Sequence, residues 1–562
     1  MRASSRSARR PVPVGRHLVA AVVVSASLVA CTGSAAPGEP PPDPPAAAPD
    51  ADQDTAPSRG TLRIGLADDP RSIDPRFVAD EEGELVVGAV FEPLVRLVER
   101  DRLVAGAART WEVDEEGRRF TFTLREATFH DGSPVTARDV VRTFSRIADG
   151  TAEPRSPLVH LVEPIVGSAR ADREGGRLRG VRALDDRTVQ IELQEPDPRY
   201  LLTLADPALA PTPAAADEAP AAFAVQPIGN GPFRMAEPRE VGAFVRLTRV
   251  ADHHRAPRVD EVVFQVYPDD PDRERQWRDL NEGLLQVADL GPDRLEEARA
   301  SFGTSADGQR GPGVLDAPTS TVALLAFDVS RPPFDDPVVR RAISQSIDRD
   351  AIADELLGGT WAAADSLVPP GIPGARPGVC DHCRFDPEGA VALLEDAEVV
   401  LPPVLTLTTN RGTTHTAVAN RVASDVRAAL GAIVRVVPLD LPEFAGEVAT
   451  GETRWFRLGW DANEPDPGAY LTPLFASGSP DNVSRFLDEE VDELLAAARA
   501  EPDAAASADL YGEVERRLLD DAVVIPLLVD RRMRVVTNDV RGLEFSPAGR
   551  VDLARVTLGD GR

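Results

Sequence analysis

The sequence predicts a mixed α/β protein of more than one large lobe behind an export signal, and three observations carry that expectation. The chain is 562 residues long, far more than one ordinary domain needs. Along it, stretches with alternating apolar residues give way to stretches with apolar residues at helical spacing, in mixed order, without an internal repeat or a regular βαβ series. The N-terminus is basic, then apolar, then ends in a cysteine, a pattern of targeting rather than packing.

Arg2, Arg6, Arg9, Arg10 and Arg16 precede the apolar stretch Leu18 to Ala30, which is too short for a mature spanning helix and suits an export signal. Arg9-Arg10 makes a poor twin-arginine signal because Pro-Val-Pro follows. The stretch ends Leu28-Val29-Ala30-Cys31, which resembles a bacterial lipobox. That resemblance implies diacylation of Cys31, which becomes the mature N-terminus. Two or three acyl chains, at about 0.8 kcal/mol per buried methylene, anchor stably where one chain does not. Residues 32–59 are mostly Ala, Pro, Gly and Asp, too poor in large apolar groups to offset the entropy of ordering, and read as a disordered tether.

Composition narrows the function. With 42% hydrophobic and 27% charged residues the body is ordinary globular protein, and no later apolar run approaches the roughly 20 residues of a spanning helix, so a soluble mature body is expected. The formal net charge of -30 argues against nucleic acid, whose binding rests on phosphate neutralisation, and suits a strongly solvated surface. All 62 basic residues are Arg, which rules out a Walker-type lysine loop.

Strands are predicted at Thr61 to Ala67, Arg118 to Leu124, Val189 to Leu193, Phe244 to Thr248, Val262 to Tyr267 and Ile433 to Val437, the last closed by Pro438. Thr136 to Asp139 opens a helix with Val140, Val141, Phe144 and Ile147 on one stripe, Thr136 as N-cap and Asp139 at capping-box distance. Further helices are expected at Pro337 to Leu357, Ala390 to Glu395, His415 to Leu430, Glu489 to Ala500 and Ala506 to Leu519.

Within this order stand Phe91-Glu-Pro-Leu-Val95, Ala108-Arg-Thr-Trp-Glu112 and Phe129-His-Asp-Gly-Ser-Pro-Val-Thr-Ala-Arg-Asp-Val140. Pro227-Ile-Gly-Asn-Gly-Pro-Phe233, Arg331-Pro-Pro-Phe334, Val339 to Arg349, Phe385-Asp-Pro-Glu-Gly-Ala390, Gly459-Trp-Asp461 with Asp466-Pro467, and Ile525-Pro-Leu527 follow. Together they resemble solute-binding family 5, the dipeptide/oligopeptide-binding receptors of bacterial ABC importers, from Thr61 to the C-terminus. The resemblance implies a two-lobe, periplasmic-binding-protein-like clamshell of the type II, peptide-binding subclass, with mixed sheets and a ligand enclosed between the lobes. The chain would cross the hinge twice, giving a signal peptide 1–31, tether 32–59, first lobe 60–318, second lobe 319–524 and a return to the first lobe over 525–562. Closure around a ligand is what a permease would read.

The resemblance also points to site residues. In the segment Trp460 to Pro467 the family places an Asp against a peptide α-ammonium, since a charge buried in a closed cleft needs a partner. Alignment on Gly459-Trp460 and Asp466-Pro467 puts Asn463 at that position, so Asp461 or Glu464 would substitute, or the ligand lacks an α-ammonium. As a polar, Pro-fixed turn the same loop would do nothing, and Trp460 would either stack on ligand or pack in the core. Ala67 and Asp68 end the first strand, where main-chain groups would pair with an extended peptide. Asn410 and Arg411 follow a second-lobe strand; Arg411 is a possible carboxylate clamp or a solvated surface residue. Cys380 and Cys383 are expected to form a local disulfide in an exported protein, in preference to a redox centre or metal site. No cofactor or metal is expected.

His130, Asp131 and Ser133 are near-consecutive, whereas a catalytic relay needs convergence from separate segments, and Gly229-Asn-Gly-Pro232 lacks the rest of a dinucleotide loop. The sequence therefore reads as a non-enzymatic receptor, extracytoplasmic and lipid-anchored. It would capture a small organic solute, foremost a peptide, for an ABC permease. A receptor for a non-peptide solute, a sensor, or an exported hydrolase are the rival readings.

Overall fold

The computed structural model describes residues 60–98, 102–171, 173, 175–462 and 464–559; Cys31, the signal segment, the tether and Asn463 lie outside the described residues. The alternation beginning at Thr61 produces the strand Thr61–Leu66, which pairs in parallel with Glu261–Val266 inside an 11-stranded mixed sheet. Along that sheet the order is Ile433–Leu439, Val404–Asn410, Trp455–Trp460, Gly313–Phe327, Val524–Val536, Val287–Asp289, Thr61–Leu66, Glu261–Val266, Phe244–Arg249 and Phe233–Met235. Trp361–Ala363 pairs with Val524–Val536 beside it.

Two of these strands join two cores. Gly313–Phe327 and Val524–Val536 pair antiparallel from Gly313 and Val536 to Ala326 and Val524, with the register interrupted between Pro318 and Val322. At one end Leu315 and Val536 pack with Ile64 and Phe264. At the other, Leu324, Val524 and Val529 pack with Phe456 and Tyr470, and Leu325, Ile525 and Leu527 with Leu407 and Trp455. These are the two lobes of the clamshell.

The first lobe carries a further antiparallel sheet, Ala108–Val113, Arg119–Leu124, Thr188–Glu192 and Val181–Ala183 in that order. Phe120, Phe122 and Leu124 alternate onto one face and meet Phe144 and Ile147 of the helix Ala137–Ala148. Each such buried aromatic contributes about 2 kcal/mol. The helix opens on a capping box, the Thr136 N–H donating to Asp139 Oδ2 at 2.8 Å.

Two predicted elements differ. The helix expected over Pro337 to Leu357 stops at Gln345 and restarts at Arg349, because Asp348 accepts the Ala351 N–H at 3.0 Å and caps a new helix, which continues as a π-turn over Ile352–Leu356. Pro438 does not close its strand but lies within Ile433–Leu439, paired with Thr409. This is an edge strand, where a missing N–H is tolerated.

Candidate functional site

A cavity of about 300 Å³ opens where the lobes face each other, lined by Glu84, Phe91, Pro207 and Arg550 of the first and by Ile372, Ala462 and Glu464 of the second. Arg550 is committed to first-lobe acids, with Nη2 on Asp206 at 2.6 Å and Nε on Glu84 at 3.2 Å. Glu464 is different: no other described residue donates a hydrogen bond to its carboxylate or forms an ion pair with it. Burial, and after it the charge of Asp206, raise its pKa above the usual range, against the opposing pull of Arg550. It is a partly desolvated carboxylate facing the cavity.

The neighbouring acid is arranged otherwise. Asp461 is exposed, does not line the cavity, and accepts the Ser320 hydroxyl at 2.5 Å. Trp460 donates its Nε1–H to the Ala469 carbonyl at 2.9 Å and packs against the second-lobe core. Ala67 and Asp68 lie outside the cavity lining, and the Leu66 carbonyl before them already accepts the Tyr267 N–H at 3.0 Å. Arg411 forms an ion pair with Asp440 at 2.7 Å in which both side chains are mostly exposed, 62% and 73%.

Sequence reasoning missed Arg457 and His415. Arg457 stands on Trp455–Trp460, and its guanidinium folds along the strand past Gly459, where a β-carbon would lie 3.0 Å from Nη2. Its Nη1 donates to Asn410 Oδ1 at 3.3 Å, and no described carboxylate is within ion-pair distance. Burial alone lowers its pKa. His415 lies in the first turn of Thr413–Leu430, its pKa lowered by burial and then by Arg457. Both border a small cavity of about 50 Å³ whose other walls include Leu325, Trp361, Leu407 and Val418. Gly412 leaves that helix without a side-chain cap, so its first N–H groups add positive potential. An arginine inside an otherwise apolar strand was the signal available in the sequence.

Three other polar clusters are closed on themselves. Cys380 and Cys383 form a disulfide, and His382 between them spends Nδ1 on the Ser344 hydroxyl at 2.8 Å and Nε2 on the Leu519 carbonyl at 2.7 Å. Glu92, 2% exposed, takes Arg255 Nε at 2.7 Å and His254 Nε2 at 2.6 Å. Burial would raise its pKa, but Arg255 and His254 outweigh that and hold it at about 2. His253 Nδ1 accepts the Arg255 N–H at 3.1 Å, which leaves the proton on the Nε2 that faces Glu92, so this is a hydrogen-bonded cluster rather than a set of free metal ligands. Ser133 and Asp131 bond each other at 2.6 Å, while both ring nitrogens of His130 are turned to the backbone of Gly229 and Gly231. No relay forms there.

Among the described residues no helix is long and apolar enough to cross a membrane. The family model described as bacterial extracellular solute-binding proteins, family 5 Middle, matches residues 102–482. The chain is 26% identical over 488 residues to the dipeptide-binding protein of Escherichia coli K12, covering 81% of this chain and 86% of that protein. It is also 26% identical over 508 residues to the probable deoxycholate-binding periplasmic protein YgiS of the same organism, covering 86% and 90%. Among solved structures, the unliganded open form of the periplasmic murein tripeptide binding protein MppA superposes with a TM-score of 0.75 at 24% identity, covering 89% of this chain and 97% of that one. A two-lobe fold and a family match across most of the chain lead to one assignment: the chain belongs to the bacterial extracellular solute-binding proteins of family 5, which bind substrates and are not enzymes.

Proposed function

We propose that the chain is the solute receptor of an ABC-type importer, held at the membrane by lipid on Cys31, and that it captures short peptides between its lobes for delivery to the permease. The observation that carries this reading is a pair of unmatched charges. Among the described residues, Glu464 faces the interlobe cavity with no ion-pair partner, and Arg457, in the middle of the second-lobe strand Trp455–Trp460, borders a separate small cavity with no carboxylate within ion-pair distance. A ligand with a free ammonium and a free carboxylate supplies both partners, and the apolar walls beside Arg457 suit an apolar side chain near the carboxylate end. In this reading Glu464 replaces the acid that the family resemblance places at Asn463, Asn410 orients Arg457, and Arg411 and Asp461 stay outside the ligand contacts. The likeness to a dipeptide-binding protein supports the peptide class. In this reading the hinge crossings lie at 318–322 and 529–533, later on the return than Val524, a choice supported by the packing of Ile525, Leu527, Leu528 and Val529 in the second-lobe core.

Native mass spectrometry of the chain lacking residues 1–31, followed by calorimetry with what co-purifies, tests the assignment. Peptides should co-purify. Glu464→Gln should weaken free-amine peptides by about 10- to 100-fold and spare N-acetylated ones, and Arg457→Gln should do the same for free against amidated carboxyl ends. A single co-purifying compound without an amine, bound equally by Glu464→Gln, would overturn the peptide reading. Cys31→Ser should move the full-length protein from the membrane to the soluble fraction.

A further inference from the structure

The lobes also meet outside the lining of the interlobe cavity. The turn Pro198–Leu201 is fixed to the small first-lobe core by Tyr200, which packs on Phe120 and donates to the Leu161 carbonyl at 2.6 Å. From this turn Arg199 reaches the second lobe and donates from Nε to Asp466 Oδ2 at 2.5 Å, with Nη2 on the same oxygen. The side chains are only 19% and 12% exposed. Asp466 is itself held, because its Oδ1 accepts the Gly468 N–H at 2.7 Å at the start of Gly468–Phe475. Beside it, an exposed pair joins Glu195 to Arg499.

On the other flank of Arg199 lies a second carboxylate, Asp197. It accepts the Arg199 backbone N–H at 3.1 Å, and no side-chain donor or ion pair engages it among the described residues. The charged and titratable groups that act on it are Asp466 and Tyr511 of the second lobe and Arg199 and Tyr200 of the first. Arg118, next to the Gly117 carbonyl that accepts the Asp197 N–H at 2.9 Å, has its Nη2 on the Gln194 carbonyl at 2.6 Å. Two carboxylates, one from each lobe, thus crowd one guanidinium in a partly dry contact.

We propose that Arg199, Asp466 and Asp197 form a proton-coupled clasp between the lobes, in which Arg199 grips Asp466 on closure and Asp197 takes up a proton as the contact shuts. Burial first, and Asp466 second, raise the Asp197 pKa to about 7. When the lobes part, Asp466 withdraws and water returns, so Asp197 falls back toward the ordinary carboxyl value. Closure therefore consumes a proton in the interval between those two values, and acid favours it by up to about tenfold per pH unit there, with no further change above about pH 7.

The test reads lobe separation, so it does not depend on which solute binds. Distances between labels on the two lobes of the ligand-free full chain would be measured from pH 8 to pH 5. The closed fraction of the wild type should rise as pH falls. Asp197→Asn should be largely closed at every pH, and Arg199→Gln more open at every pH, with Arg199→Lys between it and the wild type. A wild type without pH response, or an Asp197→Asn variant that keeps the wild-type response, would overturn the clasp. So would loss of the response in Glu464→Gln with its retention in Asp197→Asn, which would assign the proton to the ligand cavity.

Discussion

Arg349 donates from Nη1 to the carbonyl of Cys383 at 2.8 Å, so the loop closed by the Cys380–Cys383 disulfide is also fastened to a buried guanidinium. The same side chain serves the carbonyls of Pro526 and Ser344, and burial, which outweighs the opposing charges of Asp350 and Asp365, lowers its pKa to about 9. Arg349→Met leaves these carbonyls without donors, at about 1–3 kcal/mol for each that stays dry. Urea unfolding should show a loss of about 3 kcal/mol, and Arg349→Lys should recover less than half of it, because an ammonium lacks the fork. A change under about 0.5 kcal/mol would mean that water replaces the guanidinium.

Glu515 is 2% exposed and accepts the N–H groups of Leu367 at 2.7 Å and Val368 at 3.1 Å. Burial outweighs these bonds and raises its pKa to about 7 from 4.5. The folded state then keeps a proton that the unfolded chain releases, so this group lowers stability as pH rises from about 4.5 to about 7 and holds it constant above. Glu515→Gln keeps the acceptor and removes the ionisation. Calorimetry should find its Tm above the wild type at pH 8 and close to it at pH 4.5; a lower Tm at both would show that the ionised form is the stabilising one.

At Gly459 the space a side chain would take belongs to the Arg457 guanidinium. Gly459→Ala should shift that group by a few tenths of an ångström and weaken peptides with a free carboxyl end by about three- to tenfold, leaving amidated peptides and the unfolding midpoint unchanged. Equal weakening of both peptide classes would count against Arg457 as the carboxylate reader.

Trp460 uses its indole N–H inside the second lobe, on Ala469. Trp460→Phe should therefore cost about 1 kcal/mol in unfolding free energy while peptide affinity stays within about twofold. A tenfold loss of affinity at constant stability would instead make it a stacking surface for the ligand.

Elements were legible where one chemistry repeats. Phe120, Phe122 and Leu124 announce their strand, and Thr136 with Asp139 announces a helix start, because both patterns are local. Direction was not legible. Arg457 stands within one second-lobe strand and Arg411 just past the end of its neighbour, Val404–Asn410, yet Arg411 meets Asp440 only because parallel pairing sets Asn410 beside Leu439. Asp461 and Glu464 are three positions apart, and what separates them is Ser320, 141 residues away, which engages the first and leaves the second to the cavity. The break before Arg349 was local information too, in the capping potential of Asp348, overridden in the reading by the continuing apolar spacing.

Gly313–Phe327 and Val524–Val536 run from one core to the other without a loop between. With the hinge proposed at the interrupted register between Pro318 and Val322, a machine part of this kind is a flexure: two bonded leaves that bend at a notch instead of turning on a pin. A flexure has no sliding surfaces and one soft direction. The mouth of the molecule should then travel the same arc in every cycle, with elastic recoil, rather than capture by tumbling arms, returning it to rest once its cargo has left.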